Sequence, residues 1–207
     1  MHRISNPLGG RLAVDFVNAA HISPGSADPF QSWDGLLEFL ADMRVITLER
    51  AHGLLEWERT AGADTQHLLG SARRLRAAVR EALLAVIDGS AIRETTVAVI
   101  NEILAITEGH DELAWEIGSW RLAFRAREES LEWLLAAVAR SAAEIIAEGS
   151  PAPLRRCANQ ECGLIFYDTS RTRRRRWCSM AACGNRSKVA AFARRHSSRS
   201  RRDSRES

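Results

Sequence analysis

Apolar residues recur at three- and four-residue steps over most of the first 150 residues, which predicts a mainly α-helical domain. Ser32 stands where it can cap a helix, and Gly89 stands where it can end one. The predicted helices are 12–18, one after Ser32, one opening at Thr47, 65–88, 93–108 and 129–148. The first of these fits helical and strand periods alike, and we assign it to a helix.

One segment departs from the helical period. Large apolar residues alternate with smaller or polar ones over 113–117 and again over 120–125. Gly118 and Ser119 lie between the two runs, as residues of a tight turn do. The pattern predicts one β-hairpin within the helical domain.

The net charge of the 207-residue chain changes sign near residue 150. Residues 1–150 hold 14 arginines against 22 acids, a net of −8, whereas residues 151–207 hold 15 basic residues against 4 acids, a net of +11. Gly149 to Pro153 ends a helical pattern and cannot continue it. The asymmetry predicts an acidic globular domain joined to a basic module that binds a polyanion. No run of 18 apolar residues occurs, so no membrane partner is expected.

The basic module carries all of the cysteines as two pairs with the same spacing. Four thiolates in two such pairs are a ligand set for tetrahedral Zn²⁺. The N-terminus lacks an apolar signal core, which disfavours a disulfide framework, and a redox dithiol more often has two intervening residues. The predicted zinc ligands are Cys157, Cys162, Cys178 and Cys183.

Few large apolar residues accompany these cysteines, so the metal has to supply folding free energy to the module. We expect residues 164–167 to form a strand, 168–170 its turn and 173–177 the returning strand. After Cys183, a helix capped by Asn185 or Ser187 is expected, and Val189, Phe192 and Ala193 are predicted to face inward. Knuckle, hairpin, second knuckle and helix predict a small treble-clef-like finger with a core separate from that of the helices.

The basic residues of the module are candidate phosphate contacts, with Arg186, Lys188 or Arg194 able to read base edges. Some arginines, among them Arg155, Arg156 or Arg186, could instead offset the negative charge of a Zn(Cys)₄ site. A solvated basic face is the alternative for the whole set. The candidate nucleic-acid contacts are Arg171, Arg173, Arg174, Arg175, Arg176, Arg186, Lys188, Arg194 and Arg195.

Motifs of catalysis are scarce: the sequence has no nucleophile elbow, phosphate loop or His-Glu-x-x-His motif. Asp15 and Asn18 stand out as polar residues within the apolar segment 12–18. They could line a pocket for a small-molecule effector, or they could hydrogen-bond to the backbone or cap it.

Residues 154–196 resemble the CGNR zinc finger, whose naming motif reads here Cys183-Gly184-Asn185-Arg186. The opening motif 12–18 and the overall length resemble the ABATE domain that usually precedes this finger. The resemblance implies a bacterial transcription regulator with a mostly helical N-terminal domain.

Together these observations predict a cytoplasmic, zinc-dependent protein that binds nucleic acid, most simply duplex DNA. We expect a helical domain over 1–150 for sensing or homodimerisation, the finger over 154–196, and a disordered basic tail over 197–207. Three alternatives stay open: an RNA-binding or ribosome-associated protein, an enzyme in the N-terminal domain, and a basic face that holds an acidic protein.

Overall fold

The computed structural model describes residues 10–21, 28–61, 65–106, 109–116, 119–126, 131–149, 152–190 and 192. The helices are α1 (Leu12–Asn18), α2 (Trp33–Asp42), α3 (Leu48–Ala61), α4 (Gln66–Asp88), α5 (Glu94–Ile106) and α6 (Trp133–Glu148). The strands are β1 (Gly109–Glu116), β2 (Ser119–Ala126), β3 (Leu154–Arg156) and β4 (Ile165–Tyr167). The prediction of a mainly helical fold with one hairpin and a small finger is confirmed.

Local signals placed several helix ends correctly. Ser32 caps α2, since its Oγ accepts a hydrogen bond from the Gly35 amide at 3.1 Å. Thr47 does the same for α3, accepting from the Arg50 amide at 3.0 Å. Gly89 ends α4 in the left-handed conformation, with φ at 64°, which a residue without a Cβ adopts at little cost.

The first helix lies at the centre of the fold and contacts α4, α6 and β4. Its residues 13–18 are all buried. Phe16 packs against Phe30 and Phe39, with ring centroids 4.5 and 5.7 Å away. A helix buried on every side needs partners for its polar side chains, which makes Asp15 and Asn18 informative positions.

The turn of the hairpin lies one residue earlier than predicted, so the pairing of β1 with β2 differs by two residues. Glu116 pairs with Ser119, and Leu113 pairs with Leu122. Ser119 therefore belongs to β2 rather than to the turn, while residues 117 and 118 lie outside the described residues. Alternation alone does not determine which two residues form the turn. Moving the turn by one residue shifts the pairing by two, and the same side chains stay on each face of the hairpin.

The finger joins the helical domain through a strand that belongs to two cores. Ile165 of β4, together with Leu154 of β3, is buried in the core of the helices. Leu164 and Phe166 are buried instead with Cys178 and Cys183. Successive residues of a strand point to opposite sides, so β4 is covered by helices on one face and by the cysteine cluster on the other. The finger therefore has a core of its own around the cysteines, and Leu154 and Ile165 attach it to the core of the helices.

The partner of β4 also differs from the prediction. β4 pairs with the preceding strand β3, with Arg156 opposite Ile165. Residues 174–176 form no strand, and Arg173 has a positive φ of 47° that interrupts extended backbone. The run of arginines is therefore a loop, which we call the arginine loop and define as residues 170–176.

The helical segment after the arginine loop begins earlier than predicted. Ser179 caps it, accepting a hydrogen bond from the Ala182 amide at 3.3 Å, because a helical turn, Met180–Gly184, already contains Cys183 of the second pair. Residues 185–190 and residue 192 continue as helix. Val189 and Phe192 are exposed, at 69% and 58%, so the prediction that they face inward is wrong. Ala193 and the basic tail lie outside the described residues.

Within the described part of the chain, no helix is long and apolar enough to cross a membrane.

Candidate metal centre and arginine loop

The four cysteines converge on one point, although Cys157 and Cys183 are separated by 25 residues of sequence. Their Sγ atoms all lie within 4.8 Å of one another. Cys178 lies 3.6 Å from both Cys162 and Cys183, sulfur to sulfur. A tetrahedral Zn²⁺ with bonds of about 2.3 Å needs sulfurs about 3.8 Å apart, and a disulfide needs about 2.05 Å. The spacing fits a shared metal ion.

Burial and hydrogen bonding act differently on the individual thiols. Burial raises the pKa of Cys162 to about 11. Burial, with thiol hydrogen bonds added, also raises the pKa of Cys178. For Cys183, burial is outweighed by hydrogen bonds from the Asn159 amide and from neighbouring thiols, which leave its pKa lowered. Deprotonating Cys162 and Cys178 is therefore favoured by a cation at the centre, which is what a coordinated metal supplies.

The backbone of the two cysteine pairs is held by short-range hydrogen bonds. The Cys162 amide donates to the Asn159 carbonyl at 3.0 Å, and the Cys183 amide donates to the Ser179 carbonyl at 3.0 Å. The Asn159 side-chain amide lies 3.7 Å from the Cys183 sulfur, where it can donate to a thiolate. The first pair is thereby linked to a ligand of the second.

Arg155 and Arg156 are paired with groups outside the cysteine cluster. The Arg156 guanidinium lies 2.5 Å from the Asp88 carboxylate on α4. Arg155 donates to the Arg173 carbonyl at 2.6 Å and lies 3.5 Å from the Asp168 carboxylate. These arginines fix the finger to the helices and hold the arginine loop.

One arginine of the run is turned inward. Arg175 donates a hydrogen bond from Nε to the Trp177 carbonyl at 2.9 Å and another from Nη2 to the Cys178 carbonyl. Its guanidinium lies 4.8 Å from the centre of the Phe166 ring. Two of its nitrogens thus donate to the backbone beside Cys178, so Arg175 faces the cysteine cluster, and its role as a nucleic-acid contact stays a prediction. The other predicted contacts that the structure describes are exposed: Arg171, Arg173, Arg174, Arg176, Arg186 and Lys188.

Asp168 is a buried carboxylate that the sequence interpretation treated only as part of a turn. Its side chain has no exposed surface and accepts hydrogen bonds from Ser170 and from the Arg175 amide. Burial raises its pKa, but these hydrogen bonds and the charge of Arg155 outweigh burial and leave the pKa below the usual value. The sequence signal for these hydrogen bonds is the Asp-x-Ser spacing of residues 168–170, because an Asp side chain often accepts a hydrogen bond from the amide two residues later.

Asn18 contacts the finger, and Asp15 lies about one helical turn before it in α1. Both are buried, at 1% and 2% exposure. The Asn18 side chain donates to the Ile165 carbonyl at 2.6 Å and accepts from the Ile165 amide at 3.1 Å. Asn18 therefore hydrogen-bonds to the backbone, and its partner Ile165 lies 147 residues away in the sequence. An effector pocket at Asp15 and Asn18 stays a prediction.

The fold and the site define a helical protein with a C-terminal four-cysteine metal finger. Residues 154–196 match the CGNR zinc finger family. Residues 10–149 match the ABATE family, described as "Putative stress-induced transcription regulator". The chain belongs to the ABATE family, and the resemblance drawn from the sequence is confirmed. A comparison with curated proteins finds no match.

Proposed function

We propose that this protein is a zinc-dependent transcription regulator that binds duplex DNA through the arginine loop and the helical segment after it. The observation that carries the proposal is the set of six exposed cations between residues 171 and 188. They belong to the C-terminal segment 151–207, which has a net charge of +11. Clustered cations of this kind bind phosphates and release counterions.

Zinc is the proposed metal, held by the two cysteine pairs. Soft thiolate ligands in a tetrahedral array favour Zn²⁺ among the common cations. The metal ties the first pair, which precedes β4, to the second pair, which begins the helical segment. It therefore fixes the arginine loop between them, and DNA binding is expected to require it.

The exposed helical segment favours duplex DNA over RNA. Asn185, Arg186, Lys188, Val189 and Ala190 are all exposed. A helix with so little buried surface gains stability from a partner. The major groove of B-DNA admits an α-helix, whereas the corresponding groove of A-form RNA is too narrow. Apolar Val189 is suited to thymine methyl groups and Arg186 to guanine edges.

The test is binding of the full chain to labelled duplex DNA and to double-stranded RNA of the same sequence, at several salt concentrations. We expect DNA binding that weakens with salt and is lost when zinc is removed with a chelator. Arg171→Ala with Arg174→Ala should weaken it strongly. The matched control removes two exposed arginines of the acidic domain, Arg59 and Arg140. Equal effects of the two double variants, or tighter binding to RNA, would count against the proposal.

We infer that the helical domain serves in sensing or in homodimerisation, and the effector and the dimer stay predictions. Light scattering of the purified chain and a thermal-shift screen with metabolites address them separately.

A further inference from the structure

We propose that Asp168 is the positioning residue of the arginine loop, a buried carboxylate that strengthens binding to a polyanion although it is itself an anion. The inference rests on the proposed nucleic-acid function and names the residue that sets the geometry of its main contact surface.

The two oxygens of Asp168 hold the two ends of the loop. Oδ1 accepts from the Ser170 amide at 3.0 Å and from the Ser170 hydroxyl at 2.6 Å. Oδ2 accepts from the Arg175 amide at 2.9 Å. One carboxylate thus clamps the first residue of the loop and the residue next to its end, closing a loop that carries the exposed Arg171, Arg173 and Arg174.

Further hydrogen bonds tie the middle and the end of the loop to the same frame. Arg155, which lies 3.5 Å from Asp168, also donates to the Arg173 carbonyl at 2.6 Å. The Arg176 carbonyl accepts from the Ala158 amide at 2.8 Å. The loop backbone is therefore fixed to β3 and to the first cysteine pair, while its exposed side chains stay available.

The physical reason for such a clamp is the cost of gathering like charges. Arg171, Arg173, Arg174 and Arg176 repel one another, and ordering a loop costs conformational entropy. A buried carboxylate offsets part of the repulsion and has its own charge satisfied by loop amides. The arginines are then pre-organised before nucleic acid arrives, so less binding free energy is spent on ordering them.

The proposal makes a prediction opposite to that of simple electrostatics. Removing a negative charge near a phosphate-binding surface should tighten binding if only net charge matters. If Asp168 positions the loop, Asp168→Asn should weaken binding to nucleic acid, because several arginines lose their common geometry. The matched control is Glu161→Gln, which removes an exposed acid from the same module.

The experiment measures duplex-DNA affinity against salt for full-length wild type, Asp168→Asn and Glu161→Gln, together with zinc content. For Asp168→Asn we expect one zinc per chain, weaker binding and a log–log salt slope shallower by about two, since at least two phosphate contacts are lost at once. Glu161→Gln should bind as wild type or more tightly. Unchanged or tighter binding by Asp168→Asn would overturn the proposal.

A second variant covers the case in which Asp168→Asn loses zinc. Ser170→Ala removes one hydroxyl donor and leaves the carboxylate in place, so it should keep zinc and lose part of the affinity. If Asp168→Asn loses zinc and Ser170→Ala binds like wild type, Asp168 is a stabilising residue of the whole module and the proposal fails.

Trypsin digestion tests the role of Asp168 in the loop independently of nucleic-acid binding. Cleavage after Arg171, Arg173 and Arg174, identified by mass, should be faster in Asp168→Asn than in wild type. If wild type binds no nucleic acid, the proposed function is wrong, yet faster cleavage still shows that Asp168 holds the loop. Equal cleavage rates would refute that hold independently of any ligand.

Discussion

The side-chain amide of Asn18 is hydrogen-bonded at both of its polar atoms to the backbone of Ile165, with N···O distances of 2.6 and 3.1 Å. Asn18 ends the buried helix α1, and Ile165 begins the strand shared by the two cores. Around them, Arg80 of α4 donates to the Gly163 carbonyl at 3.1 Å, and Tyr167 donates to Glu148 of α6 at 2.6 Å. The finger is thus attached to the helices by directional bonds as well as by apolar packing.

Asn18→Ala should destabilise the protein by about 3 kcal/mol, because it leaves the buried Ile165 amide and carbonyl without their partners. Urea unfolding at pH 7 measures the change. The control is Asn101→Ala on the exposed face of α5, expected to be neutral or slightly stabilising, since alanine favours helix. Hydrogen exchange at the Ile165 amide should quicken in Asn18→Ala; unchanged exchange there would contradict the contact.

Cys178→Ser should lose zinc and also lower the melting temperature of the helices. The reason is that Ile165 of β4 lies in the helical core while Phe166 lies against Cys178, so disorder at the metal site reaches β4. Circular dichroism at 222 nm with zinc analysis measures both effects. An unchanged melting transition of the helices after zinc loss would show that the two cores respond independently.

Arg175→Ala and Arg174→Ala should behave differently although the residues are neighbours. Arg175 supports the backbone at Trp177 and Cys178, so its removal should weaken zinc retention, with a stability loss of about 2 kcal/mol. Arg174 is exposed, so its removal should leave stability unchanged and make the salt slope of DNA binding shallower by about one. Zinc-competition assays and salt titrations on both variants test the contrast. Identical behaviour would contradict the inward placement of Arg175.

The α4–α5 contact should make the protein sensitive to acid. Hydrogen bonds from Arg93 and from the Thr96 hydroxyl, the latter at 2.5 Å, lower the pKa of Glu81 from 4.5 to about 2. Because the folded pKa lies below the unfolded one, this stabilisation is complete above about pH 4.5 and is lost as the pH falls toward 2. Glu81→Gln should therefore be less stable than wild type at pH 7, and the difference should shrink at pH 3. Chemical unfolding at both pH values measures it, with Glu102→Gln for comparison, whose carboxylate contacts exposed Arg74. A difference that stays constant with pH would contradict the pKa shift.

Local signals in the sequence were sufficient for the helices, the hairpin, the cysteine set and the division of charge. Helical period, the caps at Ser32 and Thr47, and the stop at Gly89 depend on residues within a few positions of one another. The two cysteine pairs likewise indicate a metal site from the sequence alone, since thiolate ligands at close spacing define the chemistry before any fold is known.

Tertiary structure alone decided how these parts meet. Asn18 and Ile165 are 147 residues apart, and no periodicity relates them. The sequence presents Arg173 to Arg176 as four equivalent cations, yet Arg175 turns inward because Phe166 and the Cys178 carbonyl lie beside it in space. Asp168 is buried away from water, so its carboxylate takes its partners from the loop residues Ser170 and Arg175 and from Arg155 of β3. Such roles depend on which groups lose contact with water together, and that is settled by packing between distant segments.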